Sequence, residues 1–459
     1  MNNRKEGAVH RTMIDLFAGC GGLSLGFENA GFSPVFVSEL NDDALDTYLR
    51  NRQHELSGLR FSDNPSLRCK DANELKGKRL QQLISDLKCI RSIDFHFDTS
   101  SKKNGAGSTL DIVTGGPPCQ GFSTLGIRRS YDVHRKNIPS NHLYGRMVKI
   151  IRRLRPRIFL FENVRGILNA KWTRKGREKV WTDVKAEFNK IPGYSVRWSV
   201  VFAKDYGVPQ NRPRVFLVGI RQDILESPNL SDIVDPMNDP EDAVACGFLP
   251  QAQSQTYPDL VDLLGDLVDH RIPRILRRQE FPEGPFQTGN YPRPPKPGSI
   301  QEWLRAPPDW TVGGAVTLTE QEYSKHRLHV VAKFDVMLKN GGDIPQEFIT
   351  KKFSQRVLRK RWGRSSPNIT AASLPDDYVH YSQPRILTVR EWARLQMFPD
   401  WYQFSGRRTT GGIQRAGNPK AGLFERDVPK YTQIGNAVPV RLAENIASHL
   451  RNILDEACG

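Results

Sequence analysis

The first 220 residues alternate short apolar runs with amphipathic ones, and few folds accept that order. TMIDLFA (12–18), FSPVFVSEL (32–40), LDIVTGG (110–116) and RIFLFENV (157–164) read as strands, and SLRCKDA (66–72) as a weaker one. Near-continuous apolar strands fit burial on both faces, the condition of a parallel sheet. Between them, residues 22–31, 41–51, 142–155 and 178–191 have helical spacing, the first stopping at Gly31 and the second capped by Asn41 or Asp42. SVRWSVVFA and RVFLVGI close the region as two more strands. Strands in alternation with helices imply right-handed βαβ units and a doubly wound α/β sheet.

From residue 222 to about 384 the chain is punctuated by Pro and Gly, PRPPKPG (292–298) being the extreme case, and periodicity is lost. A stretch this long exceeds a loop and predicts a second, smaller, irregular domain. RILTVREWARLQMF (385–398) restores helical order, and residues 440–457 form an amphipathic helix. The expected division is therefore 1–221, 222–426 with the helix 385–398 on its hinge side, and a C-terminal segment 427–459. SSKKNGAGS (100–108) reads as a flexible loop.

The 459 residues carry a formal charge of +17, which points to a polyanionic partner, most often nucleic acid. The excess is concentrated in KKFSQRVLRKRWGR (351–364), which has no acid and interleaved aromatics, and which favours phosphate contact over a merely solvated face. Six scattered cysteines without a CxxC pair argue against a zinc cage or a disulfide framework. No apolar run is long enough to span a bilayer, and MNNRKEGAVHRT lacks the apolar segment of a signal peptide. The expectation is a cytoplasmic protein with neither membrane nor metal.

DLFAGCGG (15–22) follows the first strand and opens the first helix, where Phe17, Ala18, Gly19, Gly21 and Gly22 can bring backbone close to a ligand. Glu39 ends the second strand and can accept from ribose hydroxyls; Asp71 follows the third and can accept from an adenine amino group. Each acid alone is ordinarily a cap or surface charge. Together they describe a nucleoside crevice. The turn departs from GxGxxG, since Ser24 stands in the third glycine's place. A pyrophosphate ligand is thereby disfavoured, and an S-adenosylmethionine-like nucleoside fits better.

DLFAGCGGLSLGFENAGF, TGGPPCQGFS, FENVRG, QNRPRVFLVGI, RILTVREWARLQMFPDWY and QIGNAVPVRL occur in that order. The set resembles the cytosine-5 DNA methyltransferases, over residues 13 to about 445, with 222–384 as the variable segment. The resemblance implies a Rossmann-like methyltransferase sheet with a target recognition domain, S-adenosyl-L-methionine as cofactor, double-stranded DNA as partner, and a monomer on DNA in the bacterial nucleoid, in host modification, restriction-modification or phage defence. It places Pro117 and Asn436 beside the cofactor, so the C-terminal segment should fold back on the first domain. It also makes 120–136 the loop that closes over DNA.

The chemistry agrees with that assignment. Cytosine is too poor a nucleophile at C5 to take a methyl group unaided. A thiolate adding to C6 turns C5 into an enamine-like carbon, and Cys is the side chain best suited to add and later leave. A cysteine after an apolar strand is ordinarily a structural thiol. Within PPCQGFS, stiffened by Pro117 and Pro118, Cys119 is the expected nucleophile. Attack drives charge to N3, where Glu162, with its pKa raised by burial, can donate a proton while accepting from the exocyclic amine. Asn163 is expected to organise the turn after it. Arg212 and Arg214 sit two apart at a strand start and so point to one side; in the family such arginines contact cytosine O2 and the catalytic loop. Two alternatives remain at this level: a tRNA cytosine-5 methyltransferase, and a catalytically inactive DNA-binding paralogue.

Overall fold

The computed structural model describes residues 11–53, 60–61, 63–91, 93–96, 107–118, 135–173, 176–230, 233, 241–253, 257–308, 316–344, 346–349, 355–367, 369–371, 375–410 and 427–458. Cys119, most of the 120–136 loop, and all but the end of 100–108 lie outside these.

The apolar runs assemble as one seven-stranded sheet. Its strands are β1 (Arg11–Leu16), β2 (Phe32–Ser38), β3 (Arg68–Cys69), β4 (Ile112–Gly115), β5 (Ile158–Val164), β6 (Tyr194–Phe202) and β7 (Pro213–Arg221), in the order β3-β2-β1-β4-β5-β7-β6. The strands from β3 to β5 are parallel. β7 runs antiparallel to both neighbours, a direction that the sequence reading left open. Only residues 203–212 separate β6 from β7, too few for the crossover a parallel pair requires, so the chain doubles back. β3 is also shorter than expected: a 3-10 turn at Pro65–Leu67 precedes it and another at Ala72–Glu74 follows.

One sheet face is covered by α1 (Gly22–Asn29) and the C-terminal helix; the other by α2 (Asp42–Arg50), α3 (Gly77–Arg91), α4 (Leu143–Leu154) and α5 (Val180–Asn189). Asn41 caps α2 by accepting from the Ala44 amide at 3.0 Å. The C-terminal segment returns as expected. Its helices, α7 (Lys430–Asn436) and α8 (Val440–Cys458), bring Val440 and Ala443 against α1. The approach is closest at Gly26, where a Cβ would stand 2.6 Å from both the Val440 carbonyl and the Glu444 amide. We expect Gly26→Ala to cost about 1–3 kcal/mol through overpacking, measured by urea unfolding; an unchanged midpoint would show that α8 yields freely.

Beyond residue 222 regular elements are short: Leu260–Leu264, Ile272–Arg278, Ile300–Arg305, Leu328–Lys339, and a parallel pair Arg356–Val357 with Tyr378–Val379. Two small apolar clusters lie here, around Ile272, Leu276 and Phe286 and around Phe334, Met337 and Val379. Leu260, Leu264, Leu304 and Trp362 instead join the large cluster beneath α1 and α8. The expected helix 385–398 shortens to α6 (Val389–Leu395). A capping box starts it: Thr388 accepts from the Glu391 amide and Glu391 reaches back to the Thr388 amide. Among the described residues, no helix is long and apolar enough to cross a membrane.

Candidate active site

The parallel strands place their C-terminal ends along one edge, where Phe17, Glu39, Asp71, Pro117 and Glu162 lie; Cys119 falls outside the described residues. Phe17 adopts a positive φ of 59° immediately after β1. The Ala18 amide donates to the Ser38 carbonyl at 3.0 Å, tying the turn to the end of β2. The three selected glycines divide by what surrounds them. A Cβ on Gly19 would meet nothing within 4 Å, whereas one on Gly22 would stand 2.6 Å from the Val438 carbonyl and one on Gly21 2.8 Å from the Tyr402 hydroxyl. Gly19 therefore faces open space; Gly21 makes room for Tyr402, Arg52 and Tyr48, and Gly22 for the returning C-terminal segment.

Glu39 lies opposite Gly19. Its carboxylate accepts from the Gly19 amide at 2.9 Å and the Asn41 amide at 2.8 Å. Burial raises its pKa against the pull of those amides. Leu40, 67 % exposed, stands beside it. Asp71 follows β3 as expected, and one of its oxygens caps the next turn by accepting from the Asn73 amide at 2.9 Å. Asn436, the last residue of α7, is exposed.

Along the same edge, β4 leads into Gly115, Gly116, Pro117 and Pro118, and β5 lies alongside with Gly115 opposite Phe161. Glu162 follows Phe161, and a Cβ on Gly116 would stand 2.8 Å from its Oε2, so the glycine leaves the carboxyl its space. Asn163 donates to the Pro117 carbonyl at 3.1 Å, holding the backbone two residues before Cys119. Its own Oδ1 accepts from the Val164 amide, the turn-organising role expected. Arg214 Nε stands 2.8 Å from Glu162 Oε1 across the antiparallel β5–β7 pair. Burial raises the Glu162 pKa, and the charges of Arg214 and Arg212 oppose that rise.

The two arginines do not share a task. Arg212, 1 % exposed, donates through Nη1 to the Ala371 carbonyl and through Nη2 to those of Gly435 at 2.6 Å and Ala437 at 3.0 Å. It is close enough to bias Glu162 electrostatically, yet its hydrogen bonds pin the backbone on either side of Asn436. Gln210, not selected from the sequence, works beside it. Its amide group donates to the Leu395 carbonyl at 2.5 Å and to Gln396 Oε1 at 3.0 Å, while its Oε1 accepts from the Ala371 amide at 2.7 Å. The start of β7 thus anchors residue 371, the end of α6 and the loop after α7. A glutamine in QNRPR directly before a buried strand was the one available signal.

Asp15 was also missed, although a carboxylate inside TMIDLFA is conspicuous. The basic segment is described from 355 onward, with Arg359, Lys360, Arg361 and Arg364 exposed and Trp362 buried beneath them. Among the described residues, no group of three or more His, Cys, Asp or Glu side chains is arranged to hold a metal ion.

Comparison with known proteins identifies the family and the fold. A family profile described as "C-5 cytosine-specific DNA methylase" matches residues 11–452. The chain is 30% identical over 452 residues to the type II methyltransferase M.DdeI of Desulfomicrobium norvegicum, covering 95% of this chain and 88% of that one. It is 28% identical to M1.HphI of Haemophilus parahaemolyticus, covering 95% and 85%. A solved structure described as a prophage-encoded DNA modification methyltransferase from E. coli superposes with a TM-score of 0.60 at 23% identity, covering 97% of this chain and 99% of that one, which supports the same fold.

Proposed function

The chain belongs to the C-5 cytosine-specific DNA methylase family, and from that premise we propose that it methylates C5 of a cytosine flipped out of a specific duplex site, through a covalent adduct between Cys119 and C6. The observation that carries the proposal is the convergence of Glu162, Arg214 and the Asn163-held Pro117 backbone at one strand edge, with Glu39 bound to the Gly19 amide at the end of another strand. Gly19, Glu39, Asp71 and Asn436 are the residues that would hold S-adenosylmethionine, which would supply the methyl group; Asp71 has one oxygen left over from its cap.

The Cys119 thiolate adds to C6, and Glu162 protonates N3 as charge develops there. Arg214, paired with Glu162, is placed to reach the cytosine O2. C5 then takes the methyl group, solvent accepts the C5 proton, the thiolate is eliminated to restore the C5–C6 double bond, and N3 returns its proton to Glu162. Arg212 fixes the loop that presents Asn436. Residues 222–426 serve as the target recognition domain, with the exposed arginines of 356–364 on the phosphate backbone. Similarity to type II methyltransferases supports a role in restriction-modification or related host defence, acting on DNA in the cytoplasm.

A duplex carrying 5-fluorocytosine at the methylated position tests this reading. Fluorine cannot leave as a proton does, so a denaturation-resistant protein–DNA adduct should accumulate in the presence of S-adenosylmethionine. Mass spectrometry should locate it on the peptide containing Cys119. No adduct, or one on another residue, overturns the proposal.

A further inference from the structure

We propose that Asp15 is a positioning residue that fixes the methyl-donor turn against the cysteine loop, by holding Ser24 of α1 and Thr114 of β4 with one carboxylate. This rests on the reading of Cys119 and the Gly19 turn given above. Asp15 lies in β1 directly opposite Thr114 in the parallel ladder, so both side chains leave the same sheet face. Thr114 Oγ1 donates to Asp15 Oδ1 at 3.0 Å, and Ser24 Oγ, from the helix above, donates to Oδ2 at 2.5 Å. Asp15, Ser24 and Thr114 are all buried.

The two hydroxyls belong to the segments that place the two reactants. Asp15 and Ser24 bracket the turn that contains Gly19, and Thr114 lies five residues before Cys119. Methyl transfer needs the sulfonium methyl, C5 and the thiolate-bearing ring in line, and a small misplacement of one segment relative to the other is expensive. A carboxylate accepts from both hydroxyls at once, which no apolar residue of this strand could do. Burial pushes Asp15 up to about 6, opposed by the two hydroxyls and by Arg52, with Glu28 adding to the rise. Tyr48, whose hydroxyl stands 3.0 Å from Ser24 Oγ, is a further titratable group facing the cluster, beside Arg52 and Glu28. Retaining a buried acid in an otherwise apolar strand is costly for the fold, and the alignment of the two segments accounts for it.

Two reactions on one short duplex separate alignment from general damage. Without cofactor, reversible thiolate addition at C6 lets C5 exchange its hydrogen with solvent, which reports the nucleophile alone. With S-adenosylmethionine, single-turnover methylation reports nucleophile and donor together. Asp15→Asn should lower methylation at least tenfold while leaving C5 exchange and the Kd for S-adenosylmethionine within about threefold of wild type. Ser24→Ala, a milder change, should lower methylation in the wild-type background and add nothing to Asp15→Asn. Equal losses in exchange and methylation, or unchanged methylation, overturn the assignment. Absence of both reactions in the wild-type enzyme would instead refute the cytosine-5 chemistry on which it rests.

Discussion

Glu162→Gln should lower single-turnover methylation by about 10²–10⁴-fold, the range set by loss of one positioned proton donor. The amide keeps the shape that Gly116 accommodates but cannot deliver a proton to N3. The residue's surroundings also fix the pH dependence. Burial raises the Glu162 pKa despite Arg214 and Arg212, so the acid keeps its proton to higher pH than an ordinary carboxylate. The donating form is therefore lost as pH rises through that raised value, and wild-type methylation should decline on its alkaline side. The variant has no such group, so its residual rate should lack that decline. Quench-flow methylation across a pH series measures both effects; a variant within threefold of wild type would remove Glu162 from the proton path.

How much of this site was legible depends on what each residue answers to. Glu39 and Glu162 stood out because a strand buried on both faces reads as an apolar run, and a carboxylate at its end has no packing reason to be there. The fold class followed from the same runs. Strand direction did not: β6 and β7 look like the other strands, and only the shortness of residues 203–212 between them dictates reversal. Arg212 and Arg214 have the spacing of a shared face, but the partners of Arg212 are carbonyls at 371, 435 and 437. No local pattern reveals hydrogen bonds to backbone so distant in the chain. α6 is shorter than expected because it is buried all round, its charged residues Arg390, Glu391 and Arg394 included, so no solvent-facing side marks its limits. Its start was written in Thr388 and Glu391, a capping box that the apolar periodicity obscured.

Arg394→Lys should destabilise the protein by about 3–5 kcal/mol, the cost of breaking a buried ion pair from one side. Arg394 is fully buried on α6 and bonds Asp266 through Nη1 at 2.6 Å, Asp400 through Nε at 2.9 Å and Nη2 at 2.5 Å, and the Leu263 carbonyl at 2.8 Å. Arg305 also pairs with Asp266, and the Tyr291 hydroxyl donates to Asp400 at 2.8 Å. One guanidinium thereby joins residues 263–266, the 291–305 stretch and the 400 turn to α6. A lysine ammonium is a point donor and cannot span both carboxylates. Burial raises the Asp400 pKa, but the charge and hydrogen bonds of Arg394 outweigh it and hold the value low. A depressed carboxylate contributes stability above its unfolded pKa and loses it as pH falls through the folded one. Glu391, held at about 2 chiefly by Arg385 against its own burial, behaves the same way. Wild type should therefore keep this stability to well below pH 4, whereas Arg394→Lys should unfold at a higher pH. Urea titration at neutral pH and an acid titration followed by circular dichroism measure the two effects. A loss below about 1 kcal/mol would mean that water or Arg390 replaces the missing donors. The consequence extends to the chemistry, because the next residue, Leu395, gives its carbonyl to Gln210 at the start of β7. Loosening α6 should thus raise the KM for DNA before it lowers kcat, since Gln210 and Arg212 anchor residue 371 while Arg214 holds Glu162 independently.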